Sequence, residues 1–131
     1  MVYYNYKWKG GVDLPEWKNG GLLNKTRYSL NGLKAAFLSE KAVRNECAAL
    51  FCLVLLALVM RRPLTSVLTV FLVSLLPLMV EMINTAMETI IDLEFGPTYR
   101  EEIRRAKDML SAAVFLSLII AYGTALKIIF F

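Results

Sequence analysis

The chain has 131 residues, 57% of them hydrophobic, with a mean hydropathy of +0.52. That is the composition of about one membrane-embedded domain and not of a small soluble core. The formal charge is +4 with no histidine, and the basic residues flank apolar stretches instead of building a face for groove reading or base stacking, so nucleic acid is excluded as a partner.

Residues 1–23 are rich in Tyr, Trp, Lys and Gly, with Gly pairs at 10–11 and 20–21 and Pro15 between them. Those residues argue against a continuous helix. Trp8 and Trp17 beside lysines suit either a headgroup-level position or a flexible tail. The first 24 residues lack an apolar run of signal-peptide type. Asn24 reads as the N-cap of a surface helix over about 24–39, with Leu30, Leu33 and Phe37 forming an apolar stripe along the bilayer. A first span follows over about 42–60. Its uncharged part, Cys47–Met60, is shorter than the roughly 20 residues a full crossing needs. Glu40 and Arg44 stand four apart and are expected to pair, so this span starts with polar residues in a cleft. Cys47 and Cys52 lie five apart and point to different helix faces. They read as buried, inert thiols, without a disulfide or a soft-metal site.

After the tight connection Arg61-Arg62-Pro63, a second span runs over about 63–91 and carries acids where a membrane span should carry none. Glu81, Asn84, Glu88 and Asp92 fall at about 0°, 300°, 340° and 20° around a helix. All four share one arc of roughly 80°. Charged groups at lipid depth are costly, so they face a protein interior or an aqueous cleft and mark function. The bland alternative is a helix that leaves the bilayer at Glu81. Pro77, four residues earlier, removes a hydrogen bond to the Val73 carbonyl and is expected to bend the helix there.

The segment Leu93–Asp108 reads as a polar loop with Gly96-Pro97 as its turn. A third span follows over about 105–127, with Met109–Leu126 uncharged. Residues 1–46 and 92–108 together hold 12 Lys/Arg, against 3 elsewhere. The positive-inside rule therefore places the N-terminus and the second loop in the cytoplasm. Acids around Glu40, on the Glu81–Asp92 stripe and at Asp108 then lie at the cytoplasmic ends of their helices. Hard cations such as magnesium take carboxylate oxygens together with substrate phosphates, so this site suits a magnesium-nucleotide better than zinc hydrolysis. The chain has no G-x-x-x-x-G-K-S/T loop and no kinase Gly-rich loop.

Two spaced motifs carry a specific resemblance. Val80–Asp92, V-E-M-I-N-T-A-M-E-T-I-I-D, fits the pattern V-E-x-x-N-S/T-A-x-E-x-x-x-D. Arg105–Met109, R-A-K-D-M, fits a second signature, and Glu40 after L-K-A-A-F-L-S fits a third acidic position. From about Leu22 to Lys127 the chain resembles the prokaryotic integral-membrane diacylglycerol kinases, a family that includes undecaprenol kinases. The resemblance implies an all-α membrane protein: three transmembrane helices plus an N-terminal amphipathic surface helix, over residues 24–131, assembled as a homotrimer in the bacterial inner membrane. Its active sites would lie between subunits, with Glu40 supplied by a neighbour.

The same resemblance implies roles. Glu81 corresponds to the general base, which also meets the lipid hydroxyl. Glu40 and Glu88 correspond to the ligands of Mg2+ on the ATP phosphates. Tyr28, Lys107 and Asp108 match nucleotide-contacting positions, and Thr98, Tyr99 and Arg100 match the loop over the nucleotide. Arg44, Asn84 and Ser111 match positions near the lipid. The chain departs from the family pattern at Gly21, where an arginine often contacts nucleotide, and at Arg27 and Leu30 around Tyr28. Ser111-Ala112-Ala113 after K-D-M-L resembles the diacylglycerol branch, so the implied reaction is phosphorylation of diacylglycerol to phosphatidic acid. The alternatives are undecaprenol phosphorylation, a non-enzymatic subunit that uses the stripe for helix pairing, and a proton or ion carrier.

Overall fold

The computed structural model describes residues 21–96 and 100–131. The readings made above for residues 1–20 and for Pro97, Thr98 and Tyr99 lie outside those residues. Four helices follow in chain order: α1 Leu22–Ser39, α2 Lys41–Val59, α3 Leu64–Phe95 and α4 Glu101–Phe130. The chain divides into two units, residues 1–33 and residues 34–131.

Described residues of the first unit belong to Gly21 and the first two-thirds of α1. The helix starts two residues before the expected Asn24 cap. The Gly21 carbonyl accepts the backbone N–H groups of Asn24 and Lys25 at 2.9 and 3.3 Å, so a backbone turn and not the Asn24 side chain opens α1. No residue of α1 is buried, and Leu30, Leu33 and Phe37 of its apolar stripe are all exposed.

In the second unit, α3 packs against both α2 and α4. Helices α2, α3 and α4 are each long and apolar enough to cross a membrane. Their contact is tightest toward the α2–α3 turn, where Ala57, Val67, Val70, Ala125 and Ile129 form the core. Between helices in lipid, association depends on close van der Waals packing more than on expelling water. Small residues serve that purpose: Ser117, Ala121 and Ala125 recur every fourth position along the buried face of α4.

The turn between α2 and α3 is tied at several points. The Arg61 and Arg62 N–H groups donate to Leu58 O at 2.9 Å and Ala57 O at 3.1 Å, which is the Schellman closure of a helix C-terminus. Arg61 takes a left-handed φ of 53° to make it. The Arg62 side chain then donates from Nε to the Ile129 carbonyl at 2.7 Å, satisfying a last-turn carbonyl of α4.

Helix α3 continues through Pro77, which is itself buried. The segment read as a polar loop is mostly helical: Leu93–Phe95 end α3 and Glu101 already starts α4. Local charge explains the difference. Arg104 bonds Glu101 three residues before it and Asp108 four after it, spacings that only a helix brings face to face. Glu101 and Glu102 also complement the helix N-terminus. Gly96 closes α3 with φ +58°, a backbone conformation open to glycine. Cys47 and Cys52 are free, but half-buried and exposed respectively, so the expectation of two buried thiols is corrected.

Candidate active site

The polar stripe of α3 runs from the interior to the surface. Glu81 and Asn84 are 8% and 9% exposed, Glu88 is half-buried and Asp92 is exposed. The helical step that put all four on one arc therefore also grades them by depth. Asn84 Oδ1 is buried without a hydrogen-bond partner, and so is Ser74 Oγ, two turns to the other side of Glu81. Buried polar atoms are nearly always satisfied, so orphans at a polar stripe point to a place where something polar binds.

The same unit carries further acids on two helices, Glu40 and Glu46 at the head of α2 and Glu88 on α3. No lysine or arginine pairs with Glu40, Glu81 or Glu88 among the described residues. The expected Glu40–Arg44 pair is not formed. Arg44 Nη1 instead donates to the carbonyls of Phe37 and Leu38 at 3.1 and 3.0 Å. Those last-turn carbonyls of α1 have no intrahelical donor, and the guanidinium supplies one. Glu40 sits at the N-terminus of α2 with extended backbone and its side chain makes no capping bond.

The remaining candidates are distributed along the helix ends. Lys107 Nζ donates to Asp92 Oδ1 at 2.6 Å, joining α4 to the exposed end of the stripe. Asp108 accepts from Arg104 at 2.7 Å. Arg100 is exposed, with its guanidinium 5.7 Å from the centre of the Phe95 ring. Ser111 is exposed on α4, and Tyr28 is exposed on α1. Thr98 and Tyr99 lie outside the described residues. Among the candidates, Lys107 and Asp108 are engaged with other side chains, whereas Glu81 and Glu88 share the stripe of α3 and Glu40 stands at the head of α2.

One contact was not anticipated. The Tyr122 hydroxyl of α4 donates to Glu46 Oε2 of α2, across 76 positions of sequence. Its signals in the sequence are a lone tyrosine inside the third apolar run and an acid at the head of the first.

Three apolar helices long enough to span a membrane, one of them carrying a buried acid, define an all-α membrane protein. Residues 27–129 match the family described as prokaryotic diacylglycerol kinase, and the chain belongs to that family. It is 38% identical over 99 residues to the diacylglycerol kinase of Haemophilus influenzae, covering 76% of this chain and 83% of the relative. Against the diacylglycerol kinase of Escherichia coli K12 it is 36% identical over 105 residues, or 79% and 84% of the two chains. A diacylglycerol kinase of Synechocystis is 30% identical over 118 residues, 86% of this chain and 67% of the relative.

Proposed function

We propose that the chain is a diacylglycerol kinase, transferring the terminal phosphoryl group of ATP to the free lipid hydroxyl to give phosphatidic acid and ADP. The observation that carries this is Glu81: a buried carboxylate, without a cationic partner, on the signature helix of a prokaryotic diacylglycerol kinase family chain. Its relatives' shared name supports the lipid. Glu81 acts as the base. It accepts the hydroxyl proton as the lipid oxygen forms its bond to the γ-phosphorus and the bond to the ADP oxygen breaks. Phosphoryl transfer asks mainly for positioning and charge stabilisation, and a fixed interior carboxylate suits the first of these.

Glu40 and Glu88 would hold Mg2+, which when bound would neutralise phosphate charge. Their chemistry fits: both are hard oxygen donors, half-buried and without cationic partners. Mg2+ takes one or two carboxylates and completes its shell with nucleotide oxygens and water. Lys107 would exchange Asp92 for a phosphate oxygen, and Asp108 and Arg100 would contact the nucleotide; Tyr28, Thr98 and Tyr99 carry that role only by their correspondence to family positions. Asn84, with its orphaned Oδ1, would meet the lipid beside Glu81, together with Arg44 and Ser111. Homotrimer formation with shared sites, and an inner-membrane location with a cytoplasmic N-terminus, complete the reading. The exposed apolar faces of the spans and the uneven Lys/Arg distribution support them.

The test presents purified protein in mixed micelles with labelled ATP, Mg2+ and either diacylglycerol or undecaprenol. Label is expected in phosphatidic acid and lost when the metal is chelated. Label only in undecaprenyl phosphate would overturn the lipid assignment, and no labelled lipid would overturn the kinase.

A further inference from the structure

Glu40 stands alone between two helices: α1 ends at Ser39 and α2 begins at Lys41. Its backbone is extended, with φ −103° and ψ 122°, and its side chain makes no capping bond. The position of the carboxylate therefore depends on the backbone of this elbow. On the α2 side the elbow is anchored by packing, since Val43 in the first turn is 2% exposed. On the α1 side it is anchored by Arg44. The Arg44 backbone N–H donates to the Glu40 carbonyl at 3.3 Å. Its Nη1 reaches back over the elbow to the carbonyls of Phe37 and Leu38 at 3.1 and 3.0 Å. One residue thus holds the chain on both sides of Glu40, and all of these groups belong to one compact unit.

The same bonds decide a competition. Four residues separate Glu40 from Arg44, a spacing at which two side chains on a helix pair. Glu40, however, lies outside the helical backbone, and the free carbonyls at a helix C-terminus carry negative charge of their own. The guanidinium goes to the carbonyls, and among the described residues no cation pairs with Glu40. An arginine on that carboxylate would compete with a metal for its oxygens. Left unpaired on a tethered backbone, the carboxylate is available to a hard cation.

We infer that Arg44 is a positioning residue for Mg2+: by tying the last turn of α1 to the first turn of α2, it fixes where Glu40 meets the metal. The inference rests on the kinase reading, in which Glu40 would hold Mg2+, and gives Arg44 a task besides any contact with the lipid. The bonds are exposed, so water replaces them at small cost to the fold. What their loss removes is order at Glu40.

The experiment uses Arg44→Met in the full chain, which keeps the stem and removes the donors. Amide hydrogen exchange over residues 36–44 is read without ligands. Mg2+ affinity is read by calorimetry with a non-hydrolysable ATP analogue present, beside the lipid KM and the unfolding midpoint in detergent. Exchange at the elbow should quicken and Mg2+ should bind about tenfold more weakly, the scale seen when a group that orients a metal ligand is lost. Charge alone predicts the opposite, because removing a cation near a cation site tightens it. Tighter Mg2+ binding, or weaker binding without faster exchange at the elbow, overturns the proposal. Unchanged Mg2+ affinity does so too: with a raised lipid KM, Arg44 is a lipid contact only, and with a lowered midpoint it is only a brace. Arg44→Gln, too short to reach both carbonyls, gives the same readings if the methionine variant does not fold. A wild type that binds no magnesium-nucleotide and labels no lipid removes the kinase reading and this inference with it. An active wild type with any of the negative results removes only the role of Arg44.

Discussion

Two acids on one face of α3 carry different burdens. Glu81 and Glu88 are seven residues apart, about 10 Å along the helix axis at 1.5 Å per residue. Glu81 is buried and Glu88 only half so, which suits a base at the lipid and a metal ligand at the phosphates. Glu81→Gln is expected to lower kcat about a hundredfold or more, while nucleotide affinity, read by calorimetry, stays near wild type. Glu88→Gln should weaken magnesium-nucleotide binding as well. Near wild-type turnover in the Glu81 variant would remove the base assignment. At this scale the stripe was legible because its spacing follows from helix geometry. The partners of Arg44 and Glu46 were not. Arg44 has two competing acceptors, and the free carbonyls at the end of α1 become visible only once that helix stops at Ser39. Glu46 finds Tyr122 through the packing of α2 against α4, which no local spacing encodes.

Among the elements, the end of α2 holds a conformational cost that the sequence hides. Arg61 occupies the left-handed position of a Schellman closure, where glycine is the usual residue. The Arg61 side chain is exposed, while Arg62 makes the contact to Ile129. Arg61→Gly should therefore stabilise the chain by about 1 kcal/mol, the scale of the left-handed penalty for a residue with Cβ. It should raise the unfolding midpoint in detergent without altering turnover. A lower midpoint would mean that the Arg61 side chain contributes more than its backbone strain costs. The three spans themselves were plain from hydropathy, but their ends were not. Leu93–Phe95 and Glu101–Asp108 read as loop because their polarity masks helical pairs such as Arg104 with Asp108, which become decisive only when the residues are already helical. Pro77 reads as a bend within the second span and not as its end, and α3 continues through it.

For the whole molecule, the proposed trimer has a decisive mixing experiment. Glu40 and Glu81 lie in the same compact unit of one chain, so a self-contained subunit is a real competitor to a site completed by a neighbour. Co-assembled Glu40→Gln and Glu81→Gln chains should recover activity if different subunits build one site, because some interfaces then hold both intact residues. Background activity at every mixing ratio, with mixed oligomers verified, would mean that each subunit works alone. The depth grading of α3 has a consequence for the direction of traffic. Glu81 lies eleven residues before the exposed Asp92, about 16 Å along the axis. In the proposed reaction an uncharged diglyceride can settle to that level with its chains in the apolar layer. Phosphatidic acid carries a phosphate that this layer rejects, next to carboxylates of the same sign. Reaction at Glu81 thus turns a ligand suited to the interior into one that electrostatics and solvation both drive toward the surface, so the helix that positions the chemistry also clears it.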